Sequence, residues 1–297
     1  MRLCPFSVSA AAFAATVLSA ACAFAAQSEI SVDLKMDASD YVSGERIRGV
    51  VDVVNSSPDR VAVGTTRVFA GKDEDRHQVG VVNGQDHLFV EVFRASDMSR
   101  VARLDSRPFV SPFFIDSGEG QKLEVFLGDR CALQVPSRYL AKPVLVHGGV
   151  RYEGLPRVFD VVEGVKACGA MQMFANCRGL RRDFEVVYWS RGGTEHLFLK
   201  ARDAGTGNKV WETRDLGPIL RIDKPLVGVM KTGEVIVLHR LDRDRFVRSE
   251  FWSLPKTLEF RGREAVSDPE TAGTARVREL YREKGVDPKE NPWWKFW

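Results

Sequence analysis

The residues able to do chemistry are few and scattered. The five histidines are His77, His87, His147, His196 and His239, and no two lie within four positions of each other. No local pair therefore offers the spacing of a metal site. His196 and His239 are the pair that neighbouring strands could bring together. Beyond residue 26 the cysteines are Cys131, Cys168 and Cys177, with no histidine nearby to complete a zinc set. A nucleophile elbow, an H-E-x-x-H helix, a Walker loop and a dinucleotide fingerprint are all missing. Gly118-Glu119-Gly120-Gln121-Lys122 looks like a phosphate loop, but it precedes a strand and lacks the spacing. Asp203-Ala204-Gly205-Thr206-Gly207-Asn208 has oxygen donors but lacks the central acid and the trailing glutamate of a calcium loop. The acidic Asp73-Glu74-Asp75 and the alternating Asp242-Arg243-Asp244-Arg245 read as solvated loops. No catalytic residue, metal or cofactor is expected.

The aromatic residues carry more information. Tyr188, Trp189, Trp211 and Trp252 fall in or beside strand-like runs of the second half. Exposed on one sheet, they would make a platform for a sugar ring or a peptide. The chain ends NPWWKFW, and Trp293, Trp294 and Trp297 are costly to leave in water. They are candidates for docking on a partner, or into a groove of the same chain.

The opening residues speak to compartment. Residues 1–26 hold one charge, Arg2, then a small-residue apolar stretch, then Ala23-Phe24-Ala25. This is the pattern of a cleaved secretory signal. A lipid anchor through Cys22 is the lesser alternative, because the leucine usual three positions before such a cysteine is displaced to Leu18. Removing Arg2 takes the net charge from +3 to about +2. Acidic and basic residues are interspersed, so nucleic acid is not an expected partner. No later stretch is long and apolar enough to cross a membrane. In an exported protein Cys168 and Cys177 are expected to close a short disulfide clamp, leaving Cys131 as a buried thiol.

Period-two alternation supplies the framework for these residues. Ile30, Val32 and Leu34 face one way and Ser31, Asp33 and Lys35 the other, which is a half-buried strand. A turn at Ser43-Gly44 leads into an apolar run from Ile47 to Val54. Leu88–Phe93, Leu123–Leu127, Pro143–His147, Val150–Tyr152 and Arg157–Val162 continue the pattern, with turn signals about every ten residues. Pro136–Leu140 could hold one helical turn. In the second half, Phe184–Trp189, Glu195–Arg202, Lys209–Asp215, Leu226–Met230, Glu234–His239 and Arg245–Leu254 read as strands. Gly164–Gly179 is the candidate boundary. Residues 261–275 are linker-like, and Thr274–Lys284 has helical character.

The succession YVSGERIRGVVDVVNSS, FFIDSGEGQKLEVFL and VLVHGGVRYEGLPRVFDVV resembles the immunoglobulin-like modules of secreted bacterial proteins. LFLKARDAGTGNKVWETRDLG and VGVMKTGEVIVLHRLDRDRFVRSEF resemble fragments of β-propeller blades. The first resemblance implies an adhesive, spacing or binding role and assigns no catalytic residue. The expected fold is all-β. A signal at 1–26 precedes an immunoglobulin-like sandwich at 27–164 and a smaller antiparallel β domain at 165–258. Residues 259–297 would hold a linker, a short helix and an aromatic tail. The expected function is non-enzymatic binding of a protein or glycan at the bacterial envelope, in the periplasm or outside the cell. One alternative is a hydrolase with a carboxylate pair assembled only in three dimensions. The other is an assembly subunit that offers an edge strand.

Overall fold

A computed structural model describes residues 29–64, 87–106, 109–174, 180–204, 210–230 and 232–266. Every regular element among them is a strand. The fold is all-β, and all but one of its strand pairings are antiparallel.

In the first half, β1 (Ile30–Met36) pairs with β3 (Arg48–Asn55), which pairs with β7 (Gly120–Phe126). A second sheet has the order β2 (Asp40–Val42), β10 (Arg157–Val162), β8 (Ser137–His147) and β5 (His87–Arg94), with β9 (Val150–Glu153) also on β8. The short strands β4 (Val61–Val63) and β6 (Phe113–Ile115) pair with each other. The alternation sets the core. Ile30, Val32 and Leu34 meet Val51, Val53 and Val125 from one sheet, and Leu88, Val90, Val92, Tyr139, Phe159 and Val161 from the other. One reading of the sequence is corrected: the helical turn considered at Pro136–Leu140 is extended chain, because Tyr139 must face inward to stack on Phe159. The turn expected at Ser43-Gly44 is present, and the strands it separates, β2 and β3, lie in different sheets.

The second half is built from two four-stranded antiparallel sheets. One is β11 (Val165–Met173), β12 (Arg181–Arg191), β13 (Thr194–Asp203) and β14 (Val210–Pro218), in sequence order. The other is β15 (Leu226–Val229), β16 (Glu234–Arg240), β17 (Phe246–Leu254) and β18 (Thr257–Val266). Their inner faces enclose a core of Phe184, Val186, Leu197, Leu199, Val235, Val237 and Phe251. Strand β11 occupies the stretch expected to be a boundary. Strand β18 runs eight residues past Leu258, the last residue of this core, into the stretch expected to be a linker. The expected helix at Thr274–Lys284 lies outside the described residues.

Arg182 closes one end of this sandwich. It is fully buried on the inner face. Its Nε donates to Asp203 at 2.9 Å. Its terminal nitrogens donate to Ser253 Oγ at 3.1 Å and to the carbonyls of Leu254 and Pro255 at 2.7 and 3.1 Å. One guanidinium thus ties β12 to the β17–β18 turn.

His239 lies on the inner face of β16 and is almost completely buried. Burial, reinforced by the charge of Arg263, lowers its pKa from 6.5 to about 4, while the Pro218 backbone offsets part of the effect. The unfolded chain therefore takes up a proton that the folded chain refuses between those two values. Stability is full above pH 6.5 and falls as the pH drops toward 4, by about 3 kcal/mol for this one group. Urea denaturation at pH 7 and pH 4.5 should show this loss. His239→Phe should flatten the difference between the two curves. An equally steep fall in the variant would assign the effect elsewhere.

Candidate functional site

Two features stand out above the scaffold: a charged junction between the halves and a weakly charged edge strand.

The junction is organised by Ser43-Gly44-Glu45, the turn after β2. Its backbone caps the free edge of β14, where the Thr213 amide donates to Gly44 O at 3.0 Å. Thr213 Oγ1 donates to Ser43 O at 2.8 Å. On the other side, the Ser43 amide donates to Val162 O at 2.7 Å. The outer face of the β11–β14 sheet packs here, with Val187, Phe198 and Trp189 against Val42 and Val162. Gly164 joins β10 to β11 with φ of +76°, and an added Cβ would lie 2.9 Å from Val187 Cγ2. Only glycine meets both demands.

Three cations and their partners fill the seam. Lys200 Nζ is buried and pairs with Glu163 Oε1. It also donates to Glu163 O and Ser43 Oγ, each at 3.2 Å. Ser43 Oγ donates to Glu163 Oε2 at 3.0 Å. Burial opposes ionisation of Glu163, but the hydrogen bond and charge of Lys200 prevail and hold its pKa below the ordinary value. Arg202 adds a longer contact to Glu163 at 3.3 Å. Arg191 grips both carboxylate oxygens of Glu45 at 2.9 and 2.7 Å and donates to Asp40 O at 3.1 Å. His196 Nδ1 lies 3.0 Å from Asp215.

A serine beside a lysine could in principle act as nucleophile and base. Here Ser43 has no exposed surface and Lys200 almost none. The triad reads as a clamp. A groove of about 350 Å³ opens beside it, lined by Glu45, Arg46, Asp129, Glu212, Thr213 and Arg214. Its charges are matched within the wall, Arg46 with Asp129 and Arg214 with Glu212.

The edge is β11. Each remaining edge of the second half is protected. The turn at Ser43–Glu45 caps β14, β15 has only four residues, and β18 carries Glu259, Arg261, Arg263 and Glu264. Charge and shortness are common defences against stray strand pairing. Strand β11 has nine residues and a single charge, Lys166. A bulge interrupts it between Lys166 and Cys168, after which Cys168–Met173 runs in regular register with β12. Met171 and Met173 project from the outer face at 54% and 62% exposure. Val165 is also exposed. A hollow beside the methionines is lined by Lys166, Gly169, Asp183, Glu185 and Arg202.

The expected aromatic platform is not assembled among the described side chains. Tyr188 points into the sandwich core, with the Arg221 guanidinium 4.3 Å from its ring. Trp189, one residue on, points the opposite way, as strand alternation requires. Its indole donates to Asp40 at 2.6 Å, inside the junction. Trp252 is on the outer face of the other sheet, half-buried, 5.5 Å from Arg261. Trp211 lies on β14, and its side chain is outside the described residues, as are Trp293, Trp294 and Trp297.

His196 and His239 lie on different sheets. His196 stands on the outer face of its sheet, while His239 sits inside the sandwich, so they do not converge. Among the described residues no group of three metal-ligating side chains forms. Cys131 is buried, and burial raises its thiol pKa to about 11. Cys168 is half-buried on β11, and Cys177 lies outside the described residues.

Sequence reasoning missed the junction. One signal was present: Lys200 stands inside the apolar run Leu197-Phe198-Leu199-Lys200-Ala201, where a buried cation demands an anion. Nothing local marks Glu163 as that anion.

No family model matches the chain, and no curated protein matches it. Among solved structures it is similar to Spo0M, a sporulation control protein from Bacillus subtilis, at 12% identity and a TM-score of 0.29, over 86% of this chain and 97% of that one. It is also similar to the E. coli chaperone DraB, at 8% identity and a TM-score of 0.26, over 80% of this chain and 99% of that one. Likenesses at these scores transfer neither fold nor role.

Proposed function

We propose that this chain is an exported, non-enzymatic binding protein of the bacterial envelope, and that it takes an extended segment of another protein along β11. The observation that carries this reading is the long, weakly charged edge with Met171 and Met173 in solvent. An added strand would hydrogen-bond to the backbone along this edge. Covering the exposed half of each methionine would contribute about 1 kcal/mol, and the flexible thioethers adapt to varied side chains. Export rests on the signal pattern at 1–26, which lies outside the described residues. Among the described residues no helix is long and apolar enough to cross a membrane.

A photo-reactive residue at Met171 tests the reading in cells that make the full chain. The expected result is a discrete adduct with a second protein, identified by mass spectrometry. It should be lost on Val165→Lys with Met173→Lys, and absent when the probe sits at Arg261 on the charged edge. Equal labelling from both edges, or none from Met171, would defeat the proposal.

A further inference from the structure

A second hollow opens at the start of β11, and it is cationic. It measures about 330 Å³, and Lys166, Ala167, Tyr188, Arg221, Asp223 and Lys224 are among its lining residues. Lys166 and Ala167 come from β11 and Tyr188 from β12. The others come from the connection between β14 and β15. Tyr188 is almost fully buried, and the Arg221 guanidinium stands 4.3 Å from its ring centre. Burial raises the Tyr188 pKa, so its hydroxyl brings no negative charge to the hollow.

The connection that carries the cations is pinned. The Leu220 amide donates to Arg240 O at 3.0 Å. Arg221 donates to Glu195 at 2.8 Å. The buried Asp223 pairs with Arg240, which neutralises the one acid of the lining. Lys166 donates to Glu185 at 3.0 Å. Lys224 is exposed and has no anionic partner among the described residues. Lys166, Arg221, Lys224 and Arg240 thus meet only Glu185, Glu195 and Asp223, which leaves one positive charge unmatched. Arg221 also has N–H groups beyond those spent on Glu195. Cations on a pinned connection bind an anion at a smaller ordering cost than cations on a loose one.

We infer, resting on the proposed pairing along β11, that the incoming segment carries an acidic residue whose carboxylate sits in this hollow on Lys224 and Arg221. The register of β11 on β12 is regular over Cys168–Met173 and shifts between Lys166 and Cys168. Bulges commonly end pairing or re-aim a side chain. A strand paired along Cys168–Met173 therefore leaves the ladder beside the hollow, and the charge there selects an acid at that end of it. Ile222, 48% exposed beside the cations, offers an apolar surface to the stem of the acidic side chain.

The test uses the purified full-length chain to select from displayed random peptides about ten residues long. Enriched peptides should share Asp or Glu near one end, and Met171→Ser with Met173→Ser should weaken them. Lys224→Glu should weaken an enriched peptide about tenfold, because repulsion replaces attraction, while Lys224→Arg should keep it. Selection with Lys224→Glu should enrich Lys or Arg at the same place. Circular dichroism checks that each variant is folded. Peptides that depend on the methionines but show no acidic preference, or that bind Lys224→Glu unchanged, overturn the carboxylate site and leave pairing along β11 intact. If no enriched peptide depends on the methionines, both are overturned.

Discussion

Glu163→Ala is expected to lower the free energy of unfolding by about 3 kcal/mol. The reason lies at Lys200, which is almost completely buried while its carboxylate partner is half in water. Removing the carboxylate leaves the ammonium with two neutral acceptors, Ser43 Oγ and the backbone oxygen of residue 163. Neither balances its charge. The loss sits at the low end for a broken buried pair, because solvent already screens one side of Glu163. A second substitution makes the test specific. Lys200→Met keeps the volume and removes the stranded charge, so the double variant should recover most of the loss. Urea midpoints of the four proteins in the cycle decide the matter. If Glu163→Ala alone leaves the midpoint unchanged, the junction is not held by this clamp. The clamp also predicts a pH dependence. Glu163 has a lowered pKa in the folded chain, so its contribution is complete above the unfolded value of 4.5 and fades as the pH falls through the lower folded value.

Arg182→Met should cost more, about 3–5 kcal/mol. It strands the mostly buried carboxylate of Asp203 and removes the donor from the carbonyls of Leu254 and Pro255. Arg182→Lys should fall between the two, because an ammonium restores the charge but not the fork that reaches both β13 and the turn. Chemical denaturation followed by circular dichroism checks the order. Equal loss in Met and Lys would mean that the fork geometry matters more than the charge. A negligible loss in both would remove Arg182 from the account of the sandwich end.

Much of the scaffold is legible along the chain because a half-buried strand writes its inner face at every second residue. Ile30, Val32 and Leu34 announce β1, and Arg157–Val162 announces β10 with the bounds it takes. The reading failed where that period breaks. The bulge after Lys166 shifts the alternation of β11, and its small residues Ala167, Gly169 and Ala170 resemble a connection. In β18 the charges at Glu259, Arg261, Arg263 and Glu264 defend an edge, and the same charges imitate a linker. The adjacent aromatics meet a different limit. Tyr188 and Trp189 are neighbours in sequence, so in a strand they face opposite sides and cannot share a surface.

The sequence by itself determined an all-β chain, the alternation that builds its cores, and the absence of every local catalytic motif sought. Each of these is a property of residues close together along the chain. Only the tertiary structure decided which charges meet and which edge is capped. Ser43 and Lys200 lie 157 positions apart, and Glu45 and Arg191 lie 146 apart. Their contacts depend on how one half is set against the other, a geometry that no local period encodes. The same docking closes the free edge of β14 with the Ser43–Glu45 turn.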